Sequence, residues 1–281
     1  MPIVFVSPHP DDAALSCGGL IAGLRARGEP IAILSVFSGP GALDRLTPFQ
    51  RLALGFGEER DPEPGEPAAA DPIPTPGEVM AVRRAEDEAF ARSVGASITF
   101  LNLPDGVFRG YVGDAQLMGK RRSDDKAPVA ELGAALARLR PDRLYLPFSV
   151  GGHVDHQQTR RAAIALLSEP GSPYLDRALF YEDFPYALTA GFERLDQLDP
   201  EILPSLPAGV KLTPEYVELG ATLDRKVEGL RAYESQLGRL FGDDAEGGED
   251  PVSASVRARA ARVGELGGIG PAERYWRVSA A

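Results

Sequence analysis

The sequence predicts an α/β fold: a doubly wound, mostly parallel sheet with helices on both faces. Two patterns carry this expectation. Short apolar runs alternate with helical segments from end to end, as in open α/β sheets. The chain also opens strand–helix–strand, a unit whose crossover is right-handed and whose strands are parallel. With 281 residues and 43% hydrophobic content, the chain can bury a sizeable core.

The elements follow in order. Ile3-Val4-Phe5-Val6 is a short apolar run and reads as a buried strand. Asp12 to Arg27 follows with helical spacing at Leu15, Leu20, Ile21 and Leu24, and Gly28 stops it. Ile31 to Phe37 is the second strand. Residues 39–77 are rich in proline and glycine and hold the charged run Glu58 to Pro64, so they read as a long functional loop. Glu78 to Val94 reads as a helix and Ile98 to Leu101 as the third strand. An irregular stretch at 105–127 precedes a helix from Pro128 to Arg140 and a fourth strand from Leu144 to Phe148.

A helix from about Asp155 to Leu167 comes next, then a fifth strand, Ala178 to Tyr181. A third long loop, 185–212, is followed by a strand at Pro214 to Leu219 and one helix over 221–241. An acidic loop, a short helix and a strand at Tyr275 to Val278 close the chain. No internal repeat is found, and 1–281 is expected to be a single domain.

Charge and cysteine content exclude several classes. The net charge is −11 and no dense Lys/Arg block appears, which argues against a nucleic-acid partner. No run approaches the roughly 20 apolar residues of a membrane span. No signal-peptide pattern opens the chain, and the lone Cys17 cannot form an internal disulfide; both fit a cytoplasmic location. Cys17 itself reads as a small buried residue on a helix face.

The chemistry is concentrated in the three histidines, each inside a short acidic motif. His9 lies in Pro8-His9-Pro10-Asp11-Asp12, and His153 and His156 lie in Gly152-His153-Val154-Asp155-His156. The motifs follow strands one and four. In a sheet of order 3-2-1-4-5 those strands are neighbours at the topological switch point, where ligands bind. Taken alone, Asp11-Asp12 is as readily a helix cap, and the second motif a solvated loop. Together they read as one metal site. His9, Asp12 and His156 supply an N, O, N ligand set that leaves a position for water. Asp11 is the candidate general base and His153 the candidate oxyanion stabiliser and acid. Asp155 is placed to hold His153 or His156 by a hydrogen bond.

At this point the sequence resembles a known family, the LmbE-like or PIG-L-like zinc-dependent de-N-acetylases. The first family motif, His-Pro-Asp-Asp-Glu followed by a Gly-Gly pair, reads here as His9-Pro10-Asp11-Asp12-Ala13 and then Gly18-Gly19. The second, His-x-Asp-His, is His153 to His156. Weaker echoes are Arg83-x-x-Glu86, Leu103-Pro104-Asp105-Gly106 and Lys226 to Gln236, so the likeness covers nearly the whole chain.

The resemblance implies a Rossmann-like fold without a nucleotide and removal of acetyl from an N-acetylglucosamine-type unit of a small glycoconjugate. It implies Zn2+, or another divalent transition metal, on His9, Asp12 and His156. Asp11 would be the base and His153 the oxyanion-stabilising acid. Homo-oligomers occur in the family. Ala13 departs from the family's Glu, which puts substrate or metal tuning in doubt more than zinc binding.

Further residues carry two readings each. Arg83 holds a sugar hydroxyl or phosphate, or pairs with Glu86 or Asp87 on a helix surface. Asp105 binds sugar hydroxyls, or makes a Pro-Asp-Gly turn. Tyr181-Glu182-Asp183 ends a strand at the expected rim and is a candidate to face substrate, whereas Trp276 reads as core or oligomer contact. Three functional rivals stand beside the deacetylase. A related zinc amidase on a thiol-sugar conjugate would use the same residues. A non-catalytic sugar-binding relative would not need Asp11 or His153. A nucleotide-binding Rossmann protein would carry a glycine-rich turn after strand one, where this chain has His-Pro-Asp-Asp.

Overall fold

A computed structural model describes residues 1–55, 74–194, 210–242 and 250–280. The charged run at 58–64, the 195–209 part of the third loop and the acidic residues 243–249 lie outside the described residues. Seven strands form one sheet in the order β3-β2-β1-β4-β5-β7-β6. The first five are parallel: β1 (Ile3–Ser7), β2 (Ile31–Ser35), β3 (Ser97–Phe100), β4 (Arg143–Pro147) and β5 (Ala178–Tyr181). The expected order 3-2-1-4-5 is therefore present. The last two, β6 (Val210–Glu218) and β7 (Ala272–Ala280), extend the sheet antiparallel at the β5 edge.

The period-2 pleat of β1 divides the core in two. Ile3 and Phe5 pack with α1 (Asp12–Ala26), α3 (Pro76–Val94), α8 (Thr222–Leu230) and α10 (Pro251–Gly267). Val4 and Val6 face the other way, against α5 (Val129–Leu139) and α6 (Val154–Leu167). Cys17 and Trp276 are buried in these cores, as the sequence led us to expect. Among the described residues no helix is long and apolar enough to cross a membrane.

The differences from the sequence reading have local causes. Helix α3 starts at Pro76 rather than Glu78, because Thr75 and Glu78 form a capping box with Pro76 at the first helical position. The first long loop contains α2 (Pro48–Ala53), capped in the same way by Thr47 and Gln50. The second holds a 3₁₀ turn at Gly106–Phe108 and α4 (Asp114–Leu117), and the third begins with α7 (Tyr186–Thr189). The short helix near the end is the 17-residue α10.

The single helix expected over 221–241 is two: α8 and α9 (Glu234–Phe241). The break is held by α3. Tyr233 donates its hydroxyl to Asp87 (2.6 Å), and Ser235 gives both its N–H and its hydroxyl to Glu86 (2.8 and 2.7 Å).

The Gly18-Gly19 pair also finds its reason in packing. Glu273 of β7 reaches α1 and accepts the backbone N–H groups of Gly19 (3.1 Å) and Leu20 (2.9 Å), while also pairing with Lys226 (2.8 Å). A Cβ on Gly18 would meet Lys226 at 3.1 Å, and one on Gly19 would meet Leu219 at 2.6 Å. We expect Gly19→Ala to cost about 1–3 kcal/mol by overpacking, read as a lower denaturant midpoint. An unchanged midpoint would show that Leu219 yields freely.

Candidate active site

Because β1 and β4 are adjacent, the turns that follow them meet. Ser7 braces the first turn: its hydroxyl donates to the His9 carbonyl (2.6 Å) and accepts the Ala13 N–H (2.9 Å). Asp11 sits at the helix start with φ 124°, a strained conformation for a non-glycine residue. Its carboxylate makes no capping bond and reaches Arg83 instead (3.2 Å), so the cap reading does not describe it. After β4, His153 starts α6, with Asp155 and His156 in its first turn. The ring centroid of His9 lies 4.8 Å from that of His153 and 5.2 Å from that of His156.

Asp12 holds the centre. Its Oδ2 accepts the His9 N–H (2.8 Å) and lies 3.2 Å from both His9 Nδ1 and His156 Nε2. Metal–ligand bonds of about 2.0–2.1 Å at tetrahedral angles put ligand atoms about 3.3 Å apart, so these separations suit a shared Zn2+. The outer nitrogens match as well. His9 Nε2 meets Asp155 Oδ2 at 2.8 Å, and His156 Nδ1 meets Asp183 Oδ1 at 2.6 Å. Carboxylates behind the rings would fix each tautomer with its lone pair toward Asp12. His156 Nε2 is buried without a hydrogen-bond partner, which is what a metal-facing nitrogen requires. His153 is near enough to be a further nitrogen: one ring nitrogen from each of the three histidines lies within 4.8 Å of the others.

Burial and charge set the protonation of the cluster. Burial pushes Asp11 up to about 7; Arg83 opposes the rise and Asp12 adds to it. Burial would also raise Asp12, but His156 and His9 overcome it and hold the group below the usual carboxylate range. Burial lowers His153 well below an ordinary histidine, and the positive charge of His9 lowers it further. For His9, burial is outweighed by Asp105, Asp12 and Asp155, which lift it to about 9.

The other expected residues have specific partners. Arg83 is buried and lies between Asp11 and Asp105 Oδ2 (3.4 Å), not in a surface pair with Glu86 or Asp87. Asp105 meets its turn reading: Oδ1 accepts the Val107 N–H (3.1 Å), while Oδ2 faces Arg83. Asp155 holds neither His153 nor His156 with its carboxylate. That carboxylate binds His9, the Gly106 N–H (2.8 Å) and Arg109 (2.6 Å), while its backbone N–H donates to His153 Nδ1 (3.2 Å).

The carboxylate behind His156 is Asp183, from the segment read as substrate-facing. Its neighbours are structural: Tyr181 donates to the Val6 carbonyl, and Glu182 accepts from Arg259, Arg274 and Trp276. Sequence reasoning gave no role to three residues that line the cavity, Tyr186 of α7 and Gln236 and Arg239 of α9. The only signal was that Gln236 ended a weak family echo.

Known proteins resemble this chain in sequence and in fold. Residues 4–167 match the model of the PIG-L family, described as GlcNAc-PI de-N-acetylase. The chain belongs to this family. It is 31% identical over 238 residues to the 2'-N-acetylparomamine deacetylase of Streptomyces fradiae, covering 83% of this chain and 72% of that one. It is 27% identical to the 1D-myo-inositol 2-acetamido-2-deoxy-α-D-glucopyranoside deacetylase of Rhodococcus opacus, covering 84% and 81%. The zinc-inhibited form of a teicoplanin deacetylase shares the fold, with TM-score 0.72, 20% identity and coverage of 100% and 99%.

Membership in the family leaves the stability of this site to its own contacts. Arg109 neutralises Asp155 and Asp125 together and stacks over Phe37. Arg109→Ala should cost about 3–5 kcal/mol, because the buried Asp155 loses its guanidinium partner and keeps only His9 and the Gly106 N–H. Denaturant unfolding measures it, and a loss under 1 kcal/mol would mean that Asp155 is held by its other partners alone.

Proposed function

We propose that this protein is a zinc-dependent N-deacetylase, a single catalytic domain that removes acetyl from an amino-sugar glycoconjugate. The observation that carries the reading is the position of Asp12 Oδ2, 3.2 Å from two imidazole nitrogens, with a second, separate carboxylate on the adjacent residue. His9, Asp12 and His156 would hold the zinc. Bound there, it would supply the Lewis acidity that makes a water acidic near neutral pH and polarises the acetyl carbonyl.

The chain's own groups account for the proton movements. Asp11, raised to about 7 and oriented by Arg83, takes a proton as water attacks the amide carbon. His153 accepts the Asp155 N–H at Nδ1, so the neutral ring carries its proton on Nε2. That N–H donates to the developing oxyanion. A resting neutral imidazole is a donor more readily than an acid, so the proton that Asp11 has gained goes to the departing nitrogen as the C–N bond breaks. Acetate and the free amino sugar result.

Support for the substrate class comes from the relatives, whose names specify an acetylated paromamine and a 2-acetamido-glucopyranoside. Acetate release from a panel of N-acetylated glucosaminides tests the reading. We expect activity with zinc, loss with chelator and recovery on re-addition. Asp11→Asn should lose about 10²–10⁴-fold in kcat; equal rates for variant and wild type would remove Asp11 as the base. Asp11 is protonated below its pKa, so activity should fall on acidification, with an acid limb at or below about 7, since a nearby dication favours the carboxylate form. Asp183→Ala should weaken zinc binding about 10- to 100-fold in chelator competition, through loss of the bond that orients His156.

A further inference from the structure

A second cavity lies between α1, α10 and β7, apart from the one lined by His9, Asp11 and Asp12. Its volume is about 30 Å³, room for roughly one or two waters. Ser16, one helical turn after Asp12, lines it, as does Phe184, the residue after Asp183. So do five charged side chains: Lys226, Arg259, Arg274, Glu182 and Glu273, each at most 8% exposed. They carry one more positive charge than negative. The groups converge on Phe184. Ser16 Oγ accepts the Phe184 N–H (3.1 Å), and Lys226 Nζ lies 5.4 Å from the centre of the Phe184 ring and 2.8 Å from Glu273 Oε1. Glu182, two residues before Phe184, binds both Arg259 and Arg274.

The hydrogen-bonding groups left over here are almost all donors. Glu273 accepts the Gly19 and Leu20 N–H groups, Lys226 and the Tyr275 hydroxyl, which uses the four lone-pair sites of a carboxylate. Glu182 accepts from Arg259, Arg274 and Trp276, which leaves one site. Among the described residues, Lys226 spends one of its three N–H groups, on Glu273. Arg274 Nη2 is buried with no partner. The Ser16 hydroxyl, which accepts from Phe184, has no described acceptor for its own hydrogen. Buried donors without partners are costly. A water would accept from two of them but bring two hydrogens of its own, and Glu182 can take only one. An anion accepts and brings none.

We propose that this cavity is a halide site that holds one chloride ion, with Lys226, Arg274 and Ser16 as its donors. A monovalent anion neutralises the excess positive charge. The small volume sets aside phosphate, sulfate and organic carboxylates. The ion braces α1 against the turn that carries Asp183. It is independent of the deacetylase reading, which gives Lys226 no role.

Thermal unfolding of the full chain in sodium chloride and in sodium gluconate, at equal ionic strength and with and without zinc, tests the site. Chloride should raise the Tm by about 2–4 °C for each tenfold increase above its Kd. Bromide should act likewise and gluconate should not. Coincident chloride and gluconate curves overturn the proposal. Ser16→Ala should weaken the chloride response about 10- to 100-fold in concentration. An unchanged response in that variant places the halide elsewhere and also overturns it. Should Ser16→Ala fail to fold, wild-type crystals grown in sodium bromide decide. An anomalous peak within hydrogen-bond reach of Lys226 Nζ and Ser16 Oγ supports the site. A cavity holding only water, or a peak only among the metal-binding residues, refutes it.

Discussion

Five buried carboxylates face one small volume, and their neutralisation governs the structure around them. Asp11, Asp12, Asp105, Asp155 and Asp183 are each at most 5% exposed. Among the described residues, the guanidinium groups within salt-bridge reach of them are Arg83 and Arg109. Taking so many like charges out of water is costly unless cations are supplied. Two answers are open to His9 and His156. They can take up protons, as the rise of His9 to about 9 expresses. They can also share a dication with Asp12, which displaces those protons. The same charge demand thus explains the lifted histidines and the suitability of their inner nitrogens as ligands.

That demand also explains why distant parts of the chain converge here. Arg83 comes from α3, Arg109 from the second loop and Asp183 from the end of β5. Each closes a contact that the two histidine motifs cannot close alone. Arg109 ties the 105–127 loop to Asp155, and through it to His9 Nε2. The loop is therefore part of the site's support as well as its rim.

What the sequence made legible follows from locality. Strands β1 to β5 and their order were readable because apolar runs that alternate with helices, joined by right-handed crossovers, constrain an α/β sheet strongly. The two histidine motifs were readable because each is a few residues long and falls at a strand end. The roles of Asp155 and Asp183 were not. Both are acids beside a histidine in space, and chain proximity favoured Asp155 for His156, whereas the α6 turn aims its carboxylate at His9. The break between α8 and α9 was equally hidden. No proline or glycine marks Tyr233; the kink is made by Asp87 and Glu86, about 150 residues earlier in the chain.

The roof formed by α9 shows why the cavity's lining is harder to read than its chemistry. The site's reacting groups lie on turns fixed by parallel strands, so their types and spacing carry the information. Gln236 and Arg239 lie on a helix whose placement depends on Tyr233, Ser235 and the Leu54 carbonyl. Each is an ordinary surface residue by sequence, on a helix whose pattern reads simply as amphipathic. Only when Gln236's nitrogen is seen to be consumed does its oxygen become a fixed acceptor. The same contacts that anchor α9 to α3 therefore bring its polar groups over the cavity that His9, Asp11 and Asp12 line. A change at Asp87 or Glu86, which lie outside the His9–Asp12–His156 cluster, would shift the roof while leaving that cluster intact.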